Sequence, residues 1–220
     1  MTEQDPGAMG WREQKKLATR DAIGRAALRL ALQVGPENVR VDDIAAEAGV
    51  SARTFNNYFS SREEAICALR NQRTRWVTDA FRRRPAAEPL DQALIGAMLE
   101  VSGTLEPDKA SIRLAAATPA MRGEYMRGII GIEMGLAEVI AERTGADLGR
   151  DSTPRVIAAA FASALRVANE YWLRSDDDMP FTEFLGDALE QVAPVARALK
   201  AAPSTPDDVS VNPLLESPAC

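Results

Sequence analysis

Residues 40–66, RVDDIAAEAGVSARTFNNYFSSREEAI, leave room for little except short helices meeting at tight corners. Asp42 to Ala48 has helical spacing, with Ile44 and Ala48 on one face. Gly49 follows as the residue that enters the left-handed region without a Cβ penalty. Ser51 is placed to cap a second helix, its oxygen accepting from an N–H that the turn leaves free. Phe55 and Phe59 fall four apart and can pack back on Ile44 and Val50, while Ala45 and Ala48 allow a close approach. This is the pattern of a helix-turn-helix, whose second helix fits the DNA major groove.

Everything else in the chain also speaks for helix. Alternating β-branched runs and Asn-Gly hairpin turns are missing, so an all-α fold of about nine helices is expected. The first runs from about Trp11 to Val34, stopped by Gly35-Pro36, and the next two are those above. A fourth opens at Ser61-x-x-Glu64, a capping-box pattern, and reaches Arg82–Arg84 before Pro85. Five more follow: Pro89 to Gly103, Asp108 to Ala117, Pro119 to Thr144, Thr153 to about Arg174, and one from near Pro180 that Pro194 should end or kink. The expected organisation is a disordered start over 1–10 and a DNA-binding head over 11–60. Helix four, 61–84, connects that head to a body over 61–200, with a disordered, proline-containing tail over 201–220.

Charge divides the chain along the same line. Residues 1–84 carry 15 Lys/Arg against 11 Asp/Glu, whereas 85–220 carry 11 against 21, which together give the net −6. A basic end and an acidic end orient a molecule on a polyanion. The chain has no histidine, and its two cysteines, Cys67 and Cys220, make neither a disulfide framework nor a zinc site. No glycine-rich phosphate loop, GxSxG or paired metal-ligand spacing occurs, so neither a catalytic role nor a cofactor or metal is expected. The first ten residues lack an apolar run and no 18-residue stretch is free of charge, which predicts a cytoplasmic protein without a membrane span.

Val39-x-Val41-x-Asp43-Ile44-Ala45, Ala48-Gly49-Val50-Ser51, Thr54, Tyr58-Phe59, Ser61 and Glu63 resemble the DNA-binding domain of the TetR family of repressors. Thr19 to Ala27 resembles the first helix of that family, and the likeness covers roughly residues 12–70. Two departures stand out: Arg40 occupies a position where threonine commonly caps helix two, and Asn56 replaces an aromatic residue. In the body, IRLAAATPAMRGEYMR, GLAEVIAERTG and ALRVANEYWLRS are loosely similar to the branch with an acyl-CoA-like ligand-binding domain.

The exposed face of helix three offers Arg53, Thr54, Asn56 and Asn57 for base contacts. Arginine can donate twice to guanine, asparagine can pair with adenine, and the threonine methyl can meet thymine. The resemblance places Tyr58 and Arg62 on phosphate; Arg40, Ser51 and Lys16, with Lys15 and Arg20 nearby, are further candidates. The resemblance also implies a homodimer on a palindromic operator, in which two recognition helices lie about one DNA turn apart. Phe161, Ala164 and Ala168 with Phe184, Leu185 and Leu189 are the candidate interface, and burial within one chain is the competing reading. Gly128, Gly131 and Gly135 share a face, which serves close packing or leaves room for a ligand. Around it Met98, Leu114, Met121, Tyr125, Ile129 and Asn169 are the candidate pocket for a small apolar effector of acyl-CoA-like type. The function so implied is a ligand-released repressor. An activator, or an adaptor that binds a protein in place of DNA, remains the alternative.

Overall fold

In the computed structural model the helix-turn-helix stands at one end of a larger helical body. The structure describes residues 6–104, 108–176 and 179–197. Ten α-helices lie among them: α1 (Pro6–Val34), α2 (Val41–Glu47), α3 (Ala52–Tyr58), α4 (Arg62–Asn71), α5 (Arg73–Arg83), α6 (Leu90–Thr104), α7 (Lys109–Ala116), α8 (Pro119–Thr144), α9 (Thr153–Arg174) and α10 (Phe181–Arg197). The count is nine if α4 and α5 are read as one helix broken at Gln72. Helix α1 begins five residues before Trp11, so the expected disordered start covers residues that are helical from Pro6 on. The tail over 201–220 lies outside the described residues.

Local chemistry explains most of the ends. Ser51 Oγ accepts from Thr54 N at 3.1 Å and Thr118 caps α8 at Met121 N. Gly49 adopts φ +67°, which turns α2 into α3, and Gly145 closes α8 at φ +74°. Ser61 caps α4 through Glu64 N, but Glu64 reaches back to Ser60 N at 2.9 Å, so the capping box closes one residue early. Two expected signals act differently. Thr153 lies inside α9, and Asp151 accepts its N–H at 2.8 Å. Pro194 lies inside α10 and does not end it; the bond it forgoes is to Glu190, and both residues face solvent, where water can replace it.

Two hydrophobic cores form. The head core gathers Ile23, Ala27, Ile44, Phe55 and Phe59 from α1 to α3 with Ala65, Ile66 and Ala68 of α4. The body core begins at Val77 of α5 and takes in α6 to α10. The head therefore extends through α4 and past residue 60, and the helix break at Gln72 falls between the two cores. Leu114 of α7 and Met121 of α8 are exceptions to this division, because both are buried in the head core. At the far end of α5, Arg82, Arg83 and Arg84 pair with Glu142, Glu100 and Glu88.

Of the four glycines on α8, Gly128 and Gly135 are packing residues. A Cβ on Gly135 would meet Thr74 Cγ2 at 2.8 Å and Thr78 Cγ2 at 3.1 Å, and one on Gly128 would collide with Asn71 Oδ1. They let the α4–α5 strand of helix lie directly against α8.

Candidate nucleic-acid interface and body cavities

Helix α3 is held by the two phenylalanines of its inner face. Phe55 and Phe59 are buried, with ring centroids 5.7 Å apart. The opposite face is left to Arg53, Asn56 and Asn57, all exposed, with exposed Ser51 at its N-terminus and exposed Arg40 before α2. Arg40 starts α2 without a side-chain capping bond, as its chemistry requires. Thr54 is half-buried, and its hydroxyl shares a hydrogen bond with Ser51 Oγ at 2.9 Å. Lys15 and Lys16 are exposed on α1.

Two expected phosphate ligands carry structural duties as well. Arg62 Nη1 donates to the carbonyls of Glu37 at 3.0 Å and Val39 at 2.7 Å, and its Nε donates to Glu63 Oε1 at 2.8 Å. It braces the 3-10 turn Pro36–Asn38, which leads into α2, against the start of α4. Tyr58 is half-buried, and its carbonyl accepts from Arg20 Nη1 at 2.6 Å. Arg20 is turned inward: its guanidinium lies 4.2 Å from the Phe59 ring centroid and donates to Glu64 at 3.0 Å. Burial would push the Glu64 carboxyl up, but bonds from Ser60 and Arg20 hold it below the ordinary range. Arg20 thus fastens α1 to the end of α3 and the start of α4.

Family descriptions match both halves of the chain. Residues 23–66 match "Bacterial regulatory proteins, tetR family", and residues 84–197 match the "MftR C-terminal domain". The HTH-type transcriptional regulator TcmR of Streptomyces glaucescens is 35% identical over 189 residues, covering 81% of this chain and 84% of its own length. The chain belongs to the TetR family of transcriptional regulators. Solved family members share the fold at low identity. A regulator from Syntrophomonas wolfei superposes with a TM-score of 0.60 at 17% identity, over 83% of this chain and 96% of its own. FadR of Thermus thermophilus, a TetR-family transcriptional repressor in complex with lauroyl-CoA, superposes at 0.53 and 18% identity, over 86% and 98%. No helix among the described residues is long and apolar enough to cross a membrane.

The body of this TetR-family regulator divides the expected pocket residues among different places. One cavity of about 360 Å³ lies where α1, the α4–α5 break, α7 and α8 meet, and Leu114 and Met121 line it from the head core. A second, of about 300 Å³, lies between α7, α8 and α9 and is lined by Tyr125, Asn169, Ile112 and Leu173. A constriction of about 10 Å³, lined by Arg70, Arg73, Tyr125, Ile129 and Asn169, shares its arginines with the first cavity and Tyr125 and Asn169 with the second. Met98 lines none of these; it is 1% exposed in the body core and is corrected from pocket to packing. Asn169 is buried, its Nδ2 donating to Leu165 O at 2.9 Å while its Oδ1 has no partner. Tyr171 points away from both cavities and is 62% exposed.

Arg70 and Arg73 are functional candidates that the sequence reading passed over. Burial lowers both guanidinium pKa values, that of Arg73 to about 10. The available signal was spacing: Arg70 falls four residues after Ile66 and three after Cys67, on the apolar side of α4.

The expected dimer contacts also need correction. Phe161, Leu185 and Leu189 are 0% exposed, and Ala164 and Ala168 are buried, all within one chain. Their side chains have no surface left to offer a partner; Phe184 is half-buried. The exposed residues of α9 at helical spacing are Val156, Ser163, Val167 and Tyr171. On α10, Gln191 and Val195 share a face four residues apart and are exposed too.

Proposed function

We propose that this regulator acts as a homodimeric repressor of a palindromic operator, released when a small apolar or acyl-type effector enters the body. The observation that carries the reading is the outer face of α3. Arg53, Asn56 and Asn57 are all exposed there and make none of the internal bonds that occupy Arg20 and Arg62. Arginine and asparagine are the side chains that read guanine and adenine edges in the major groove. Arg40 and Lys16 would supply sequence-independent phosphate contacts, with Ser51 at the α3 N-terminus and Tyr58 and Arg62 beside them.

The dimer would use the exposed stripe Val156, Ser163, Val167 and Tyr171 of α9 with Val195 of α10, so that four helices meet across a two-fold axis. The cavities between α4–α5 and α7–α9 would take the effector, and lauroyl-CoA bound to the Thermus FadR supports an acyl-type guest. An effector shifts the operator equilibrium only by its preference for one state, typically about 1–3 kcal/mol. No catalytic step enters this reading.

The test is retention of genomic DNA fragments by the purified protein beside an Arg53→Ala/Asn57→Ala variant. A short palindrome retained selectively by the native protein and lost in the variant is expected. Equal retention of all fragments by both proteins would refute the readout face and leave the protein-binding adaptor.

A further inference from the structure

Arg70, in the last turn of α4 beside the helix break, is a charged group that packing alone leaves unexplained. Its guanidinium carbon lies 5.4 Å from the Tyr125 ring centroid, and no hydrogen bond or carboxylate pair engages it among the described residues. Arg70 is half-buried, and a guanidinium that loses part of its hydration needs an acceptor to replace it. The acids nearest it bond elsewhere, although the charge of Asp108 does act on Arg70. Asp108 accepts from Ser111 N and Oγ at 2.7 and 2.6 Å, and Asp21 accepts from Gln72. Arg70 and Arg73 line the constriction together with Tyr125 and Asn169, whose Oδ1 is unpartnered.

We infer that the effector is two-ended: an apolar part fills the 300 Å³ cavity, and an acidic group sits at the constriction on Arg70. This rests on the effector reading above and names the chemistry of its ligand. A planar guanidinium offers two parallel N–H donors to one carboxylate, or to one phosphate, so either acid would satisfy it. The cation–π contact with Tyr125 holds Arg70 in place while leaving its N–H edge available. Asn169 Oδ1 can accept from a hydroxyl, an amide or a water carried with the guest. The acidic group would then lie at the point where α4 of the head gives way to α5 of the body. An anion bound there would act on that break directly.

The experiment is calorimetric titration of the full chain, without DNA, using decanoate, decanol and decanoyl-CoA below their micellar concentrations. Decanoate is expected to bind at least tenfold more tightly than decanol. Arg70→Met should abolish that difference, and Arg70→Lys should keep part of it. The native-protein comparison needs no variant, so it decides the matter even if Arg70→Met fails to fold. Equal binding of acid and alcohol, no binding of either, or an acid preference that survives Arg70→Met would each overturn the acidic subsite. Tighter, Arg70-dependent binding of decanoyl-CoA would support it and assign the acid to a phosphate. Operator binding measured in parallel separates the two readings. Decanoate binding without operator release would sink the effector role and leave the subsite; release by a neutral ligand would do the reverse.

Discussion

Adding one methyl group at Gly135 should destabilise the protein, while the same change at Gly123 on the same helix should stabilise it. Replacing glycine by alanine within a helix gains about 1 kcal/mol of propensity at either site. At Gly123 nothing lies within 4 Å of the new Cβ. At Gly135 it would stand 2.8 Å from Thr74 Cγ2 and 3.1 Å from Thr78 Cγ2, both too close. Thr78 is further fixed by its Oγ1 bond to Arg75 O at 2.9 Å. Overpacking of this kind costs about 1–3 kcal/mol. The propensity gain cancels in the difference between the two variants, so Gly123→Ala should exceed Gly135→Ala by about 1–3 kcal/mol. Urea unfolding at one fixed protein concentration reads this as a shift in midpoint at constant slope. In a chain of this length about 2 kcal/mol is also roughly 4–8 °C in Tm. Thr74→Ala in the Gly135→Ala background should recover part of the loss. Coincident midpoints for the two alanine variants would show that α8 and α5 do not approach as closely as described.

Two other changes separate structural from functional charge. Arg62→Ala should cost about 1–3 kcal/mol through the lost bonds to Glu37 O and Val39 O, whereas Arg53→Ala should stay within about 0.5 kcal/mol. Urea midpoints for both test this, and a wild-type midpoint for Arg62→Ala would remove its bracing role. Burial pushes the Cys67 thiol from 9.0 up to about 11. Above pH 9 the unfolded chain loses this proton while the folded chain keeps it, so stability falls between pH 9 and about 11 and is unaffected below. The unfolding free energy from urea titration should accordingly drop about 2 kcal/mol further across that window in the native protein than in Cys67→Ala. Parallel profiles for the two would contradict the burial of the thiol.

Most of the head was legible because its signals are local. Gly49, Ser51, Thr118 and Gly145 act through their own backbone angles or oxygen atoms, and each does in the structure what its residue type dictates. The break at Gln72 carries no glycine or proline; it arises because α4 and α5 serve different cores, which is a tertiary fact. Arg20 and Arg62 are alike in sequence to any exposed arginine, yet their destinations depend on carbonyls 38 and 23 residues away. Burial on several sides of α9 could be read from its alanines, but not which side faces another chain. The cavity wall was hardest: a charged side chain on an apolar face reads as a helix edge until the helices around it are placed.

Leu114 and Met121, rooted in the body and seated in the head core, make the DNA-reading unit a poor candidate for transplantation. A chimera cut at Gln72 would strip the donated head of two of its filling side chains and leave the body it came from with both bare to water. The corner of α7 and α8 would have to travel with it. On the proposed readout, new operator preferences are easier to obtain by rewriting Arg53, Asn56 and Asn57 in place, since all three are exposed.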